Sequence, residues 1–333
     1  MITRQVAGRV YNYSYCIGRV TQSGPGFSLP TDFALGSDES IYVVSRSHEV
    51  AQGRGVNKCT FSHELIWEDR GPEFAKGQAV WPSSVDVDRA ENVYVSDEYA
   101  GKIFILGKDG DYLGDWGVKG SGEGELNGPS GLAFDKEEHL YIVDSLNHRV
   151  QVFSKDGKSL AKWGSQGTGE GQFNIPWGIA IDHRGDVYVA DWKNGRVQRF
   201  SPEGRYLSTI GGPEAGDGAL QRPTGVAVDT DGDVYVTDQA ANRLNIYDAD
   251  GSFITAFIGD AARLPRWGVE TVEANPDYVK ARLRVDLTPE QRFRRPVAVN
   301  VDDQGRIMVL ETQCARIQIY VKERDFVDAQ FNL

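Results

Sequence analysis

Arg46, Glu98, Tyr99 and Asp32 are the residues of this chain whose types could do chemistry together. A guanidinium holds an anion, a carboxylate accepts a proton and a phenol donates one, a combination that suits a lyase or a hydrolase. Trp177, Trp192, Lys193, Gln239, His48 and Gln313 form a second group, in which aromatic faces supply affinity and polar ends fix a ligand's orientation. They are scattered from position 32 to position 313. Only the elements that carry them can bring them to one place.

Those elements come from a repeat. Six prolines, Pro30, Pro82, Pro129, Pro176, Pro223 and Pro296, open six copies of one pattern, with spacings of 52, 47, 47, 47 and 73 residues. The third copy reads Pro129-Ser130-Gly131-Leu132-Ala133-Phe134-Asp135, then Leu140-Tyr141-Ile142-Val143-Asp144, then Asn147-His148-Arg149-Val150-Gln151-Val152-Phe153 and Asp156-Gly157. The fourth repeats it as Pro176-Trp177-Gly178-Ile179-Ala180-Ile181-Asp182, Val187-Tyr188-Val189-Ala190-Asp191 and Asn194-Gly195-Arg196-Val197-Gln198-Arg199-Phe200. Each copy holds four short apolar, β-branched runs parted by Gly, Asp and Asn, the signature of four antiparallel strands with tight turns. A unit of this size cannot bury its faces alone, so its repetition means a repeat architecture. Four strands taken six times predict an all-β, six-bladed β-propeller of four-stranded antiparallel blades, one domain over residues 1–333.

The words Pro-x-Gly-Val-Ala-Val-Asp, Tyr-Val-x-Asp and Asn-x-Arg-Val-Gln-x-Phe resemble the NHL-repeat family of six-bladed propellers, over essentially the whole chain. That family includes enzymes, RNA-binding modules and protein scaffolds, so the resemblance implies the fold and leaves the function open. A more distant resemblance is to the peptidyl-hydroxyglycine amidating lyases, which carry zinc on three histidines, each directly after a repeat proline. Here those positions hold Thr31, Ser83, Ser130, Trp177, Thr224 and Val297, so no histidine zinc site is expected. Ser96-Asp97-Glu98-Tyr99 is similar to the lyase segment that bears its catalytic tyrosine, while Trp192 stands where that family has an arginine.

In a propeller the loops entering strand one and those joining strands two and three meet at one end of the channel, where function must come from what is not repeated. After the strand-two acid stand Arg46, Glu98, Ser145, Trp192, Gln239 and Thr312, and these with the residues after the prolines form the predicted rim. Trp177 and Trp192 could equally pack between blades. Asp32 and Ser84 break the column of Gly131, Gly178 and Gly225. Asp32 is expected beside Arg46, either as a reactive carboxylate or as an ion pair making good the acid replaced by Ser45.

The pairs Asp97–Lys102, Asp144–Arg149, Asp191–Arg196 and Asp238–Arg243 recur in register and are expected to tie loops by charge-assisted hydrogen bonds. Asp135, Asp182, Asp229 and Asp302 read as turn formers. Asp229-Thr230-Asp231-Gly232-Asp233 hints at a calcium loop but lacks the downstream bidentate Glu. Residues 260–294 interrupt the repeat with a charged insert, expected to be a loop with a short helix over 277–287. Residues 8–18 followed by Gly24-Pro25-Gly26-Phe27-Ser28-Leu29-Pro30 match the end of a repeat with no blade before it. This N-terminal strand should therefore close the sixth blade, unless the run from Phe326 to Leu333 takes that place.

A net charge of −12 argues against nucleic acid as a partner, since counterion release needs a basic face. The basic cluster from Arg263 to Arg295 reads as a solvated loop interleaved with acids. No apolar run approaches membrane-spanning length, and the N-terminus, Met1 to Gln5, lacks the apolar stretch of a secretory signal, so a membrane is not expected and the cytoplasm is the expected location. Cys16, Cys59 and Cys314 have no ligand spacing and read as free thiols, and the five histidines form no metal-ligand pattern. The cofactor is undetermined, with a divalent ion in the central channel left open. Two readings stand: a small-molecule enzyme, leaning to lyase or hydrolase, and a non-catalytic propeller that binds a protein or peptide. A closed pocket around Arg46, Glu98 and Tyr99 favours the first; a flat rim with Trp177 and Trp192 turned outward favours the second.

Overall fold

The computed structural model describes residues 2–47 and 51–324. Each proline starts or, in blade four, shortly precedes the innermost strand of a four-stranded antiparallel blade, numbered here one to six in chain order. Blade three is typical: Pro129–Phe134, Leu140–Asp144, Arg149–Phe153 and Ser159–Trp163, paired in that order. The second strand of each blade is buried along its length, as in Leu140–Asp144 and Val187–Asp191, because both its faces pack on neighbouring blades. That explains why these strands read as continuous apolar runs rather than alternating ones.

The innermost strands stand close around the axis. A Cβ on Gly178 would lie 2.1 Å from the Thr224 carbonyl oxygen, and one on Gly131 would lie 2.6 Å from that of Trp177. Only glycine fits there. The Gly131 amide donates instead to the Trp177 carbonyl across the blade boundary at 2.9 Å. In blades one and two the same column carries Asp32 and Ser84, whose side chains take over this stitching.

Closure falls to the N-terminus, as expected. Strand Arg9–Gly18 pairs antiparallel with Arg316–Lys322 from Tyr11↔Lys322 to Gly18↔Arg316, and Thr3–Val6 adds a fifth, outermost strand to blade six. The run from Phe326 to Leu333 lies outside the described residues. The seam is locked by charge: the Lys322 ammonium sits 2.6, 2.7 and 2.8 Å from Asp229, Asp231 and Asp233, and Arg9 adds a 2.5 Å ion pair to Asp233. The loop that hinted at calcium is thus filled by a lysine.

The insert differs from its expected form. It contains three short helices, Arg266–Glu273, Pro276–Arg282 and Thr288–Gln291, and the first was not foreseen. Trp67 and Trp116 each donate an indole N–H to the outer turn of the following blade, at Lys108 and Lys155. Strand Arg9–Gly18 of blade six has no tryptophan. Trp267 of the first insert helix is buried against Phe27 and donates to the His63 carbonyl at 2.9 Å, supplying that role at the seam between blades six and one. Arg266, Lys280 and Arg282 pair with Glu270, Asp277 and Glu290, in line with a charge-interleaved insert.

The repeated acid–base pairs form at Asp144–Arg149, Asp191–Arg196 and Asp238–Arg243, and also at Glu311–Arg316. Blade two departs: Lys102 pairs with Asp115, while Asp97 accepts from the Val80, Trp81, Tyr99 and Ala100 amides. The shorter Lys102 head turns to a nearer carboxylate, and four amide donors suffice for Asp97. Asp135, Asp182, Asp229 and Asp302 each cap their own turn through two backbone amides. Cys16, Cys59 and Cys314 are free. No helix among the described residues is long and apolar enough to cross a membrane.

Candidate functional site

The six innermost strands enclose a channel cavity of about 230 Å3, and a second cavity of about 160 Å3 opens above it, at the end where these strands begin. The two share Thr31, Trp177, Thr224 and Val297 in their walls. These are residues that directly follow a proline, so this column forms the collar between channel and mouth. The mouth cavity is further lined by Leu29, Arg46, Trp192, Gln239, Arg295 and Thr312. Arg46, Trp177, Trp192 and Gln239 therefore converge, as their repeat positions implied. Two guanidinium groups face this cavity and no carboxylate lines it.

Arg46 is held from one side. Its Nη1 lies 2.8 Å from Glu98 Oε1, and its guanidinium lies 5.3 Å from the centre of the Trp81 ring. Glu98 accepts in turn from Ser83 Oγ at 3.0 Å. Both charged side chains are largely buried, at 14% and 17% exposure, which makes the pair stronger than a surface ion pair. Glu98 and Tyr99 line a third cavity of about 210 Å3 on the other side of Trp177. Trp177 and Trp192 are half-buried walls rather than outward-facing surface. The Arg222 guanidinium stacks 4.9 Å from the Trp192 ring centre.

The expected Asp32–Arg46 contact is not formed, because Glu98 takes Arg46 and Asp32 lies one level deeper. Asp32 accepts from the Ser84 hydroxyl, from the Val85 amide at 3.3 Å and from the Phe33 amide at 2.9 Å. Ser84 Oγ also accepts from the Leu132 amide, carrying the stitch on to blade three. Burial pushes the Asp32 carboxyl up to about 6, against the lowering effect of these three donors. The surface it retains faces the enclosed channel rather than bulk water. Lys193 and Gln313 are exposed and line none of these cavities. His48 lies outside the described residues.

Sequence reasoning missed Asp86. It occupies the channel column that is Ala133, Ala180 and Ala227 in the regular blades, and that break in an alanine column was a legible signal. Its oxygens accept from Val87 and Phe134 amides at 2.9 and 2.8 Å, and burial, with the Asp32 charge adding, pushes it up to about 7. Trp81, Arg222 and Arg295 were also missed as rim residues, although they share the column just before each proline. Among the described residues no group of three or more His, Cys, Asp or Glu side chains is placed to hold a metal ion. The two channel carboxylates, Asp32 and Asp86, are engaged by backbone amide donors.

Residues 220–247, in blade five, match the NHL repeat family. The chain is a six-bladed β-propeller that carries an NHL repeat. Residues 87–216 of this propeller match the family described as the SMP-30/gluconolactonase/LRE-like region. No curated protein matches it. Among solved structures it is similar to a streptogramin B lyase, at 13% identity and a TM-score of 0.60 over 96% of this chain and 100% of that one. It is also similar to the virginiamycin B lyase of Staphylococcus aureus, at 13% identity and a TM-score of 0.58 over 93% and 99% of the two chains. A protein of unknown function from Bacteroides thetaiotaomicron aligns at 17% identity and a TM-score of 0.65 over 95% and 76%. At these identities the likeness is one of fold.

Proposed function

We propose that this propeller binds a small anionic molecule at the channel mouth and acts on it as a lyase or hydrolase. One observation carries the reading: Arg46, Arg295, Gln239, Trp177 and Trp192 converge on a single cavity that no carboxylate lines, in a chain of net charge −12. A guanidinium fork in a half-buried apolar cup suits a carboxylate or phosphate oxygen pair. Arg46 is the better placed of the two, because Glu98 and Trp81 fix its orientation before a ligand arrives.

Proton transfer falls to Asp32 rather than to Glu98. Glu98 is committed to Arg46 and Ser83. Asp32 lies just below the collar with its carboxyl raised to about 6, close to the neutral range in which a general base works best. Tyr99, 58% exposed, contributes a hydrogen bond from the rim rather than from the cavity floor. The match of residues 87–216 to a family that includes gluconolactonase favours ester or lactone hydrolysis within this class.

The test is a turnover screen of carboxylate-bearing esters and lactones on the purified chain, followed by two variants. Arg46→Gln should raise KM about tenfold or more, through loss of a charge-assisted contact. Asp32→Asn should lower kcat by about a hundredfold with little change in KM. Turnover that neither substitution alters would sink the reading. The enclosure of Arg46 and Glu98 and the half-buried tryptophans weigh against a flat partner-binding rim.

A further inference from the structure

The residues just before the six prolines divide the rim into two chemical halves. Leu29, Trp81, Gly128 and Ile175 stand in blades one to four, Arg222 and Arg295 in blades five and six. On the apolar side, Trp81, Tyr99 and Leu146 are 41%, 58% and 52% exposed around the 210 Å3 cavity. Large apolar side chains gathered at the mouth of a cavity mark a contact surface.

This shelf is built rather than incidental. The Trp81 and Tyr99 rings meet edge to face at 6.2 Å, and Lys119 holds Tyr99 from behind, 5.0 Å over its ring and 2.8 Å from its carbonyl. Gly128 has a φ of +63°, and a Cβ there would lie 2.9 Å from Leu146 Cγ, so glycine is what lets Leu146 lie over this cavity. The two charges beside the shelf are engaged, Glu98 with Arg46 and Lys119 with the Tyr99 carbonyl. The rest of this cavity's lining, Trp81, Tyr99, Leu146, Ile175 and Trp177 with Gly128 and Ser145, is mainly apolar. Across Trp177, which walls both cavities, the cup asks for an anion.

We propose that the two cavities form one bipartite site and that its ligand is an amphipathic carboxylate. The anionic head sits in the cup with Arg46 and Arg295, and a flat apolar arm crosses Trp177 to lie on Trp81, Tyr99 and Leu146. This deepens the anion-binding reading above and rests on it. Apolar burial on the shelf supplies affinity, and the guanidinium groups fix which end points at the channel.

Titration of the full chain by calorimetry and ligand-observed NMR with 4-phenylbutanoate, butanoate and 4-phenylbutanamide separates the two halves. The phenyl-bearing carboxylate should bind at least tenfold more tightly than either of the others. Leu146→Ala, at an exposed position, should erase most of the advantage of the phenyl group and leave butanoate unchanged. Arg295→Gln should weaken both carboxylates and spare the amide. If butanoate binds as tightly as 4-phenylbutanoate while Arg295→Gln still weakens it, the bipartite site is wrong and the anion reading survives. If the carboxylate and its amide bind alike, or if none of the three probes binds at millimolar concentration, both fall.

Discussion

Asp32 and Asp86 are two carboxylates inside one channel, each raised by burial, to about 6 and about 7. The sign of the consequence follows from linkage. A carboxyl whose folded pKa exceeds its unfolded value holds its proton more tightly in the native state, so stability falls as pH rises through the window between the two. For Asp32 that window runs from about 4 to 6. Relative to wild type, Asp32→Asn should therefore gain on the order of 1–3 kcal/mol between pH 4 and pH 8, whatever fixed cost the amide adds by facing the Val85 N–H. Thermal unfolding of both proteins across this range measures it, and a difference that does not change with pH refutes it. Asp32 was legible because it breaks a glycine column, and Asp86 was equally legible as a break in an alanine column. Their separation from Arg46 was not. Which carboxylate Arg46 takes depends on its reach across to the next blade, a distance that no repeat alignment contains.

At the scale of elements, the seam between blades six and one depends on a helix borrowed from the insert. Trp267 is 3% exposed and its indole N–H has one partner, the His63 carbonyl. Trp267→Ala should cost about 3–5 kcal/mol in chemical denaturation and speed amide exchange in the outer turn near His63. Leu283→Ala, on the same insert at 83% exposure, should cost almost nothing. Equal effects from the two would remove the seam role. The sequence marked the insert by its length and its helix by Pro276, where Asn275 caps the chain entering the second helix through the Asp277 amide. It did not mark the first helix, Arg266–Glu273. That helix is held by a tertiary contact rather than by a cap, since Pro265 makes no side-chain capping bond.

For the whole molecule the critical element is the latch. Asp229 and Asp233 are nearly buried, at 8% and 1% exposure, and their charges are met by Lys322 and Arg9 from opposite ends of the chain. Lys322→Met should destabilise the ring by about 3–5 kcal/mol at neutral pH, because it strips a buried carboxylate pair of its main cation. The Lys322 ammonium also holds the Asp231 carboxyl below the usual carboxylate range, so part of the loss should disappear as pH falls into the acid range where that support is lost. Urea unfolding at pH 7 and at about pH 2 reads the difference, and an undiminished loss in acid would show that packing of the lysine stem, not its charge, matters.

The sequence by itself determined the ring: six prolines in near-constant register, four apolar runs per copy, glycine where innermost strands touch, and an N-terminal strand with no blade before it, which competed with the C-terminal run for the outer place in blade six. These are local or periodic signals, set by turn chemistry and strand pairing, and they survive in one dimension. It also placed Arg46, Trp177, Trp192 and Gln239 at one end of the channel, since the repeat assigns every column a height. What only the tertiary structure decided is which neighbours meet around the ring: Glu98 rather than Asp32 on Arg46, Lys322 rather than a metal ion among three aspartates, and Trp267 rather than a strand residue at the seam. Each is a choice among charged or aromatic groups from distant copies. Such a choice is settled by distance and burial in three dimensions, which spacing along the chain does not encode.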